Sequence, residues 1–415
     1  MTGPGAGWQS GPAGDGEVYS GPPPTRRPEP GQWAPAPWPM AYAPPQYAPP
    51  QYAPPQYAPP QYAPPQYAPA QYGPPFPGAP YPGPPFGRPP APGFPPGGWG
   101  PPPGTPPHDV PRSFLLSMRS RDWRWWRPLL GLLLITVVWF VGAAVVMGVA
   151  LVTAIAPDLE LLDLVDPAVL LVTNLVLIVA VPAVWLAWAA AHGMRIGWSS
   201  SVLGRLRWRL LLPYTLLALA TLGVGIGLSV LLGFAVGDEE VTGPVASFGW
   251  LLVVVLLTTP LQSAAEEYVF RGYLSQTIAG WIRRPQAGAV VAGVLSALLF
   301  AAAHGAQDPV TFLDRFAFGL AASALVWLTG GLEAAIVLHA VNNVLVFVLA
   351  GGLGDGVATE QLPAGTGLLF LAMSLAANGA YVGLVARSRS RLRVETSTEA
   401  ARLQPFAPPL LTPAR

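Results

Sequence analysis

Polar side chains are scarce in the long apolar stretches of this chain, and the few present are spaced so that they can meet. The stretch LLVVVLLTTPLQSAAEEYVFRGYLSQ carries Glu266, Glu267 and Arg271. Glu267 and Arg271 are four residues apart, so acid and base share one helical face in the favourable order and can neutralise each other. Glu266 points about 100° away and is read as having no partner in its own helix. His304 closes a second apolar stretch, LLFAAAHG, four residues after Phe300. His339 lies in a third, LHAVNNV, with Asn343 on the same helical face and Asn342 turned elsewhere. Three helices thus offer a carboxylate, two imidazoles and a carboxamide. An ion at the centre of a membrane helix costs at least about 2.5–3.5 kcal/mol, which makes these residues candidates for function rather than for packing alone.

The elements that must position them follow from composition. Of 415 residues, 52% are hydrophobic and 10% charged, against about 25% charged in ordinary globular chains. A net charge of +1 excludes a nucleic-acid binder, which needs a basic footprint. The absence of cysteine excludes disulfides, thiolate metal sites and a thiol nucleophile.

The chain divides near residue 110. Residues 1–107 hold 38 of the 53 prolines, and a QYAPP unit repeats from about Tyr42 to Tyr72. Proline lacks the N–H and disfavours helix in the residue before it. Residues 1–110 are therefore expected to form a disordered, polyproline-II-rich cytosolic tail, either a bland extension or a segment that binds partners or self-associates through its periodic tyrosines. The first twenty residues lack an apolar core, so no cleavable signal peptide is expected. Residues 111–127, with Trp123, Trp125 and Trp126 among arginines, read as an amphipathic helix at the membrane interface.

Residues 128–386 read as eight membrane spans, at about 128–156, 167–192, 210–236, 247–271, 287–304, 316–331, 332–353 and 366–386. The fold class expected is an all-α polytopic membrane helix bundle, followed by a short disordered cytosolic tail over 387–415. Arginine clusters fall on alternate connections, around Arg119–Arg127, Arg195–Arg209, Arg283–Arg284 and Arg387–Arg393, with acidic loops between them, except at the nearly charge-free turn between the sixth and seventh spans. Both termini are accordingly expected in the cytosol. Lysine is absent and Ala, Pro, Gly and Arg abound, which suggests a bacterial plasma membrane.

In order, the pieces EExxxR (Glu266, Glu267, Arg271), FxxxH (Phe300, His304) and HxxxN (His339, Asn343) resemble the CPBP family of CAAX proteases and bacteriocin-processing proteins. The resemblance spans roughly 245–350. It departs at Trp327-Leu328-Thr329-Gly330-Gly331, where Leu328 stands in place of an arginine common in the family. It implies an intramembrane endopeptidase. Glu266 would activate a water together with His304, His339 and Asn343 would stabilise the oxyanion, and Glu267, Arg271 and Phe300 would support them. Convergence of the four requires a cavity open to the cytosol. HExxH is absent, so the zincin geometry does not apply. A metal-free mechanism with no cofactor is preferred, and zinc on Glu266, His304 and His339 is the alternative. The partners expected are a membrane-associated protein or peptide and the bilayer. A non-catalytic scaffold or immunity protein of the same fold is the second reading, and a transporter, with polar residues as a proton relay, the third.

Overall fold

The computed structural model describes residues 106–153, 155, 163–236, 241, 243–282, 284–354 and 364–401. The QYAPP repeats lie outside the described residues. Among the described residues ten α-helices follow one another: α1 Arg127–Thr153, α2 Pro167–Ile178, α3 Ala180–His192, α4 Leu211–Val236, α5 Phe248–Val269, α6 Ser275–Trp281, α7 Pro285–Ala302, α8 Pro309–Thr329, α9 Glu333–Leu353 and α10 Ala364–Ser388. Among the described residues there is no strand, only the isolated bridges Ser113–Ser397 and Ser201–Gly331.

Among the described residues eight helical stretches are long and apolar enough to cross a membrane, and the chain is a multi-pass membrane protein. Pro167–His192 is one span with a break between α2 and α3. Pro182 explains the break, because its missing N–H and its ring both act against the carbonyl of Ile178. Phe248–Trp281 is a single span of 34 residues that joins α5 to α6 through a π-turn at Phe270–Leu274.

α5 sits at the centre, packed against α9, α2 and α3, while α7 packs on α8 and α10 on both α4 and α8. Its faces are reversed relative to a soluble helix. Trp250, Leu256, Leu257 and Leu261 are exposed, whereas Thr259, Gln262, Ser263, Glu267 and Arg271 are buried. Outside the bundle is lipid, so the apolar face points outward and the polar face collects where protein groups can satisfy it.

Helix lengths set the depth of the site. At about 1.5 Å per residue, Glu266 lies about 22 Å from Trp281, Phe300 about 22 Å from Pro285, and His339 about 9 Å from Glu333. These three residues are neighbours, so the hairpin between α6 and α7 reaches about 13 Å beyond the turn between α8 and α9. The segment before α1 packs under this projection. Thr277 meets Met118, and the Trp281 indole donates to the Trp125 carbonyl at 2.9 Å.

Three expectations about local structure are corrected. Residues 111–127 do not form an amphipathic helix. Phe114, Leu115 and Leu116 form a 3-10 turn and are buried with Met118, because consecutive apolar residues cannot share one face of an α-helix. Residues 387–401 are docked rather than a free tail: Thr398 and Arg112 exchange hydrogen bonds at 2.8 and 3.0 Å, and Ala401 N donates to His108 O at 2.9 Å. The sixth span begins at Pro309, not 316, which places Asp314 and Arg315 inside α8. Asp308 caps that helix by accepting from the N–H groups of Val310 and Thr311, and Pro309 takes the first helical position, where its missing N–H costs nothing.

A buried ion pair ties one end of the bundle together. The Arg207 side chain donates to Glu333 at 3.0 and 2.7 Å, to the Thr329 carbonyl at 3.0 Å and to the Glu395 carbonyl at 2.8 Å. Both side chains are almost fully buried, at 2% and 0% exposed. Gly331 leaves the room, since a Cβ there would overlap Arg207 and Glu333. Arg389 donates to the Leu328 carbonyl at 3.0 Å, so two distant arginines serve the C-terminal carbonyls of α8 beside the position where Leu328 departs from the family pattern. Arg207→Met leaves Glu333 buried without a counter-ion and is expected to lower stability by about 3–5 kcal/mol. Arg207→Met with Glu333→Leu recovers most of that loss. Unfolding of the full chain in detergent measures both; a single variant as stable as wild type would show that the pair does not carry charge.

Candidate active site

The glutamates enter the site from the last turn of α5, just before the π-turn. Arg271 lies within that turn and donates to Glu267 Oε1 at 2.9 Å, as the spacing predicts, and both side chains are 0% exposed. A π-turn shifts the hydrogen-bond ladder, and such turns concentrate at functional sites. The Phe270 carbonyl is served by the hydroxyls of Ser275 and Ser296, both at 2.9 Å. The second guanidinium nitrogen of Arg271 donates to the Gly319 carbonyl at 3.0 Å. Gly319 is required by close approach, because a Cβ there would stand 2.9 Å from Ala297 and 3.2 Å from that same nitrogen.

His339, on α9, bridges the two acids. Its Nδ1 is 3.0 Å from Glu267 Oε1 and its Nε2 is 3.8 Å from Glu266 Oε2. A carboxylate only accepts, so Nδ1 carries a proton and Nε2 faces Glu266. The nearer partner of His339 is thus Glu267, the acid expected to pair with arginine alone.

Phe300 is the hub on α7. Its ring lies 4.9 Å from that of His304, 5.6 Å from that of His339 and 6.0 Å from that of Phe318 on α8. The Arg271 guanidinium stands 4.7 Å from its centroid, within cation–π range. His304 lies just past the end of α7 and gives its Nδ1 proton to the Phe300 carbonyl at 2.8 Å. Its Nε2 is left outside that bond.

Asn343 lies one turn after His339 on α9, with its Nδ2 3.4 Å from Gln262 Oε1 and 3.4 Å from Ser263 Oγ. Glu266 does have a partner in its own helix, contrary to the sequence reading: Gln262, one turn earlier, donates to its Oε1. The four-residue spacing that marked Glu267 and Arg271 would have found it.

The structure therefore brings Glu266, Glu267, Arg271, His339 and Asn343 into one connected cluster and sets His304 across the Phe300 ring from it. Their burial differs: His339 is 3% exposed, Glu266 is half-buried and His304 is exposed. Among the described residues, no three or more His, Asp or Glu side chains stand close enough to hold a metal ion. The contacts described for the three zinc donors suggested by the sequence use Glu266 Oε1, His339 Nδ1 and His304 Nδ1, and leave Glu266 Oε2 and the two Nε2 atoms outside them.

Comparison with known proteins places the match on the same helices. Residues 248–345 match the family model for the type II CAAX prenyl endopeptidase Rce1-like proteins. The chain is also similar to the uncharacterized protein YyaK of Bacillus subtilis (strain 168), with 25% identity over 199 residues, covering 46% of this chain and 64% of that relative. The chain thus spans just under two thirds of that relative's length. No solved structure matches. Over residues 248–345, from α5 into α9, the chain is similar to the Rce1-like type II CAAX prenyl endopeptidases, consistent with the CPBP family indicated by its three motifs.

Proposed function

We propose that this chain is an intramembrane endopeptidase that hydrolyses a peptide bond in a membrane-associated protein or peptide. The observation that carries the reading is the connected cluster of Glu266, Glu267, His339 and Asn343 inside apolar helices, with His304 one aromatic ring away.

Glu266 is the general base. It takes a proton from a water held between it and the free Nε2 of His304, and the hydroxide attacks the carbonyl. The tetrahedral oxyanion accepts from Asn343 Nδ2 and from His339 Nε2. With Nδ1 already given to Glu267, donation from Nε2 requires the imidazolium form of the ring. Glu266 then returns its proton to the leaving amine. Glu267 and Arg271 orient His339 and are not consumed. The mechanism proposed here uses no metal or cofactor.

The topology proposed has both termini in the cytosol of a bacterial plasma membrane. Hydrogen bonds gather Arg127, Arg207, Arg209 and Arg389 with the segments around His192, Gly331 and Glu395, so the basic ends of α1, α3, α4, α8, α9 and α10 share one side. The side rich in arginine is the cytosolic one. Bilayer and peptide substrate are the proposed partners, and nucleic acid is not among them.

Two measurements test this reading. In cells, Glu266→Ala and His304→Ala are each expected to remove the new N-termini that wild type generates among membrane proteins. If both variants match wild type while deletion of residues 1–107 abolishes function, the protein acts as a scaffold. In vitro, purified chain is expected to keep its activity in strong chelators such as EDTA. A loss that zinc alone restores would replace the metal-free mechanism.

A further inference from the structure

Glu266 is held by a side chain that the three motifs do not include. Gln262 lies one turn before it on α5, is 5% exposed, and donates from Nε2 to Glu266 Oε1. The orientation of the amide is forced. A carboxylate accepts only, so the nitrogen of Gln262 must face Glu266 and the oxygen must face away. That oxygen accepts from Ser263 Oγ at 3.3 Å and from Asn343 Nδ2 at 3.4 Å. One carboxamide therefore touches both the base and an oxyanion donor of the proposed reaction.

We propose that Gln262 is a positioning residue that fixes the Glu266 carboxylate and holds Asn343 in register with it. The inference rests on the endopeptidase reading. Amide hydrogen bonds are normally about 2.7–3.2 Å. The two contacts of Asn343 with α5, both 3.4 Å, are longer, so Asn343 releases them readily when an oxyanion offers a shorter bond. Gln262 keeps its shorter bond to Glu266 at that moment, so its own orientation survives and Glu266 does not turn. A misplacement of about 1 Å in such a group costs about a hundredfold in rate.

The test uses the full chain in phosphatidylcholine vesicles, with an internally quenched peptide built on a cleavage site taken from the new N-termini. Gln262→Met keeps the side-chain length and removes the donor. It is expected to lower kcat about a hundredfold and leave KM within about twofold. The carboxylate stretch of Glu266, isolated as the infrared difference between wild type and Glu266→Gln, is expected to move in Gln262→Met. A helix-packing role alone would not move that band. Thermal unfolding in detergent reports whether the bundle survives; if Met destabilises it, Gln262→Asn, which keeps the carboxamide but shortens its reach, gives the same two readings. Wild-type kcat, or an unmoved Glu266 band, overturns the proposal. If wild type cleaves nothing, the endopeptidase reading fails, while the infrared band still decides whether Gln262 holds Glu266.

Discussion

A carboxylate without access to water must be given partners, and the requirement at Glu267 organises the rest of the site. Its Oε1 accepts from Arg271 and from His339. Each partner then makes demands of its own. Arg271 needs a second acceptor and a face to lie on, which Gly319 and Phe300 supply from α8 and α7. His339 needs its ring packed, which Phe300 and Phe318 provide. Four helices are thereby brought into register by the cost of burying one charge. Buried pairs of this kind seldom add much stability over an apolar substitute. What they add here is direction, because hydrogen-bonded partners fix where a ring and a guanidinium point.

A second buried pair, Arg207 with Glu333, works at the end of the bundle rather than at its centre. Its members come from segments 126 residues apart. It joins the turn before α4 to the start of α9 and to the segment after α10. The helix that carries His339 and Asn343 is therefore anchored at its first residue by one ion pair and gripped one and a half turns later by the other. The polar stripe of α5 completes the frame, from Asn174 on Thr258 and Thr259 to Gln262 and then Glu266.

Much of this was legible in the residues themselves. Spans in a bilayer are set by length and apolarity, and all eight are recovered, with the division at Gly330–Gly331 marked by a left-handed cap at Gly330. The motif spacings led to the Glu267–Arg271 pair because local helical geometry determines it. Local signals were also overlooked: Asp308–Pro309 announced the start of α8, and Gln262 stood four residues before Glu266. Other features could not be read from spacing. Arg207 reaches Glu333 only through the tertiary fold, His339 chose Glu267 over Glu266 through the packing of α9 on α5, and the burial of Phe114–Leu116 depends on how far the α6–α7 hairpin projects. Partners remote in sequence leave no periodic trace.

The hydrogen bonds between the segment before α1 and the segment after α10 carry a consequence for biosynthesis. Translation is vectorial, so residues 108–113 emerge before any helix of the bundle, while their partners at 397–401 emerge after the last. Through the insertion of every span the early segment lacks these C-terminal partners. The clasp can form only after residues 397–401 have been released, so its closure comes after every span of the bundle has been made.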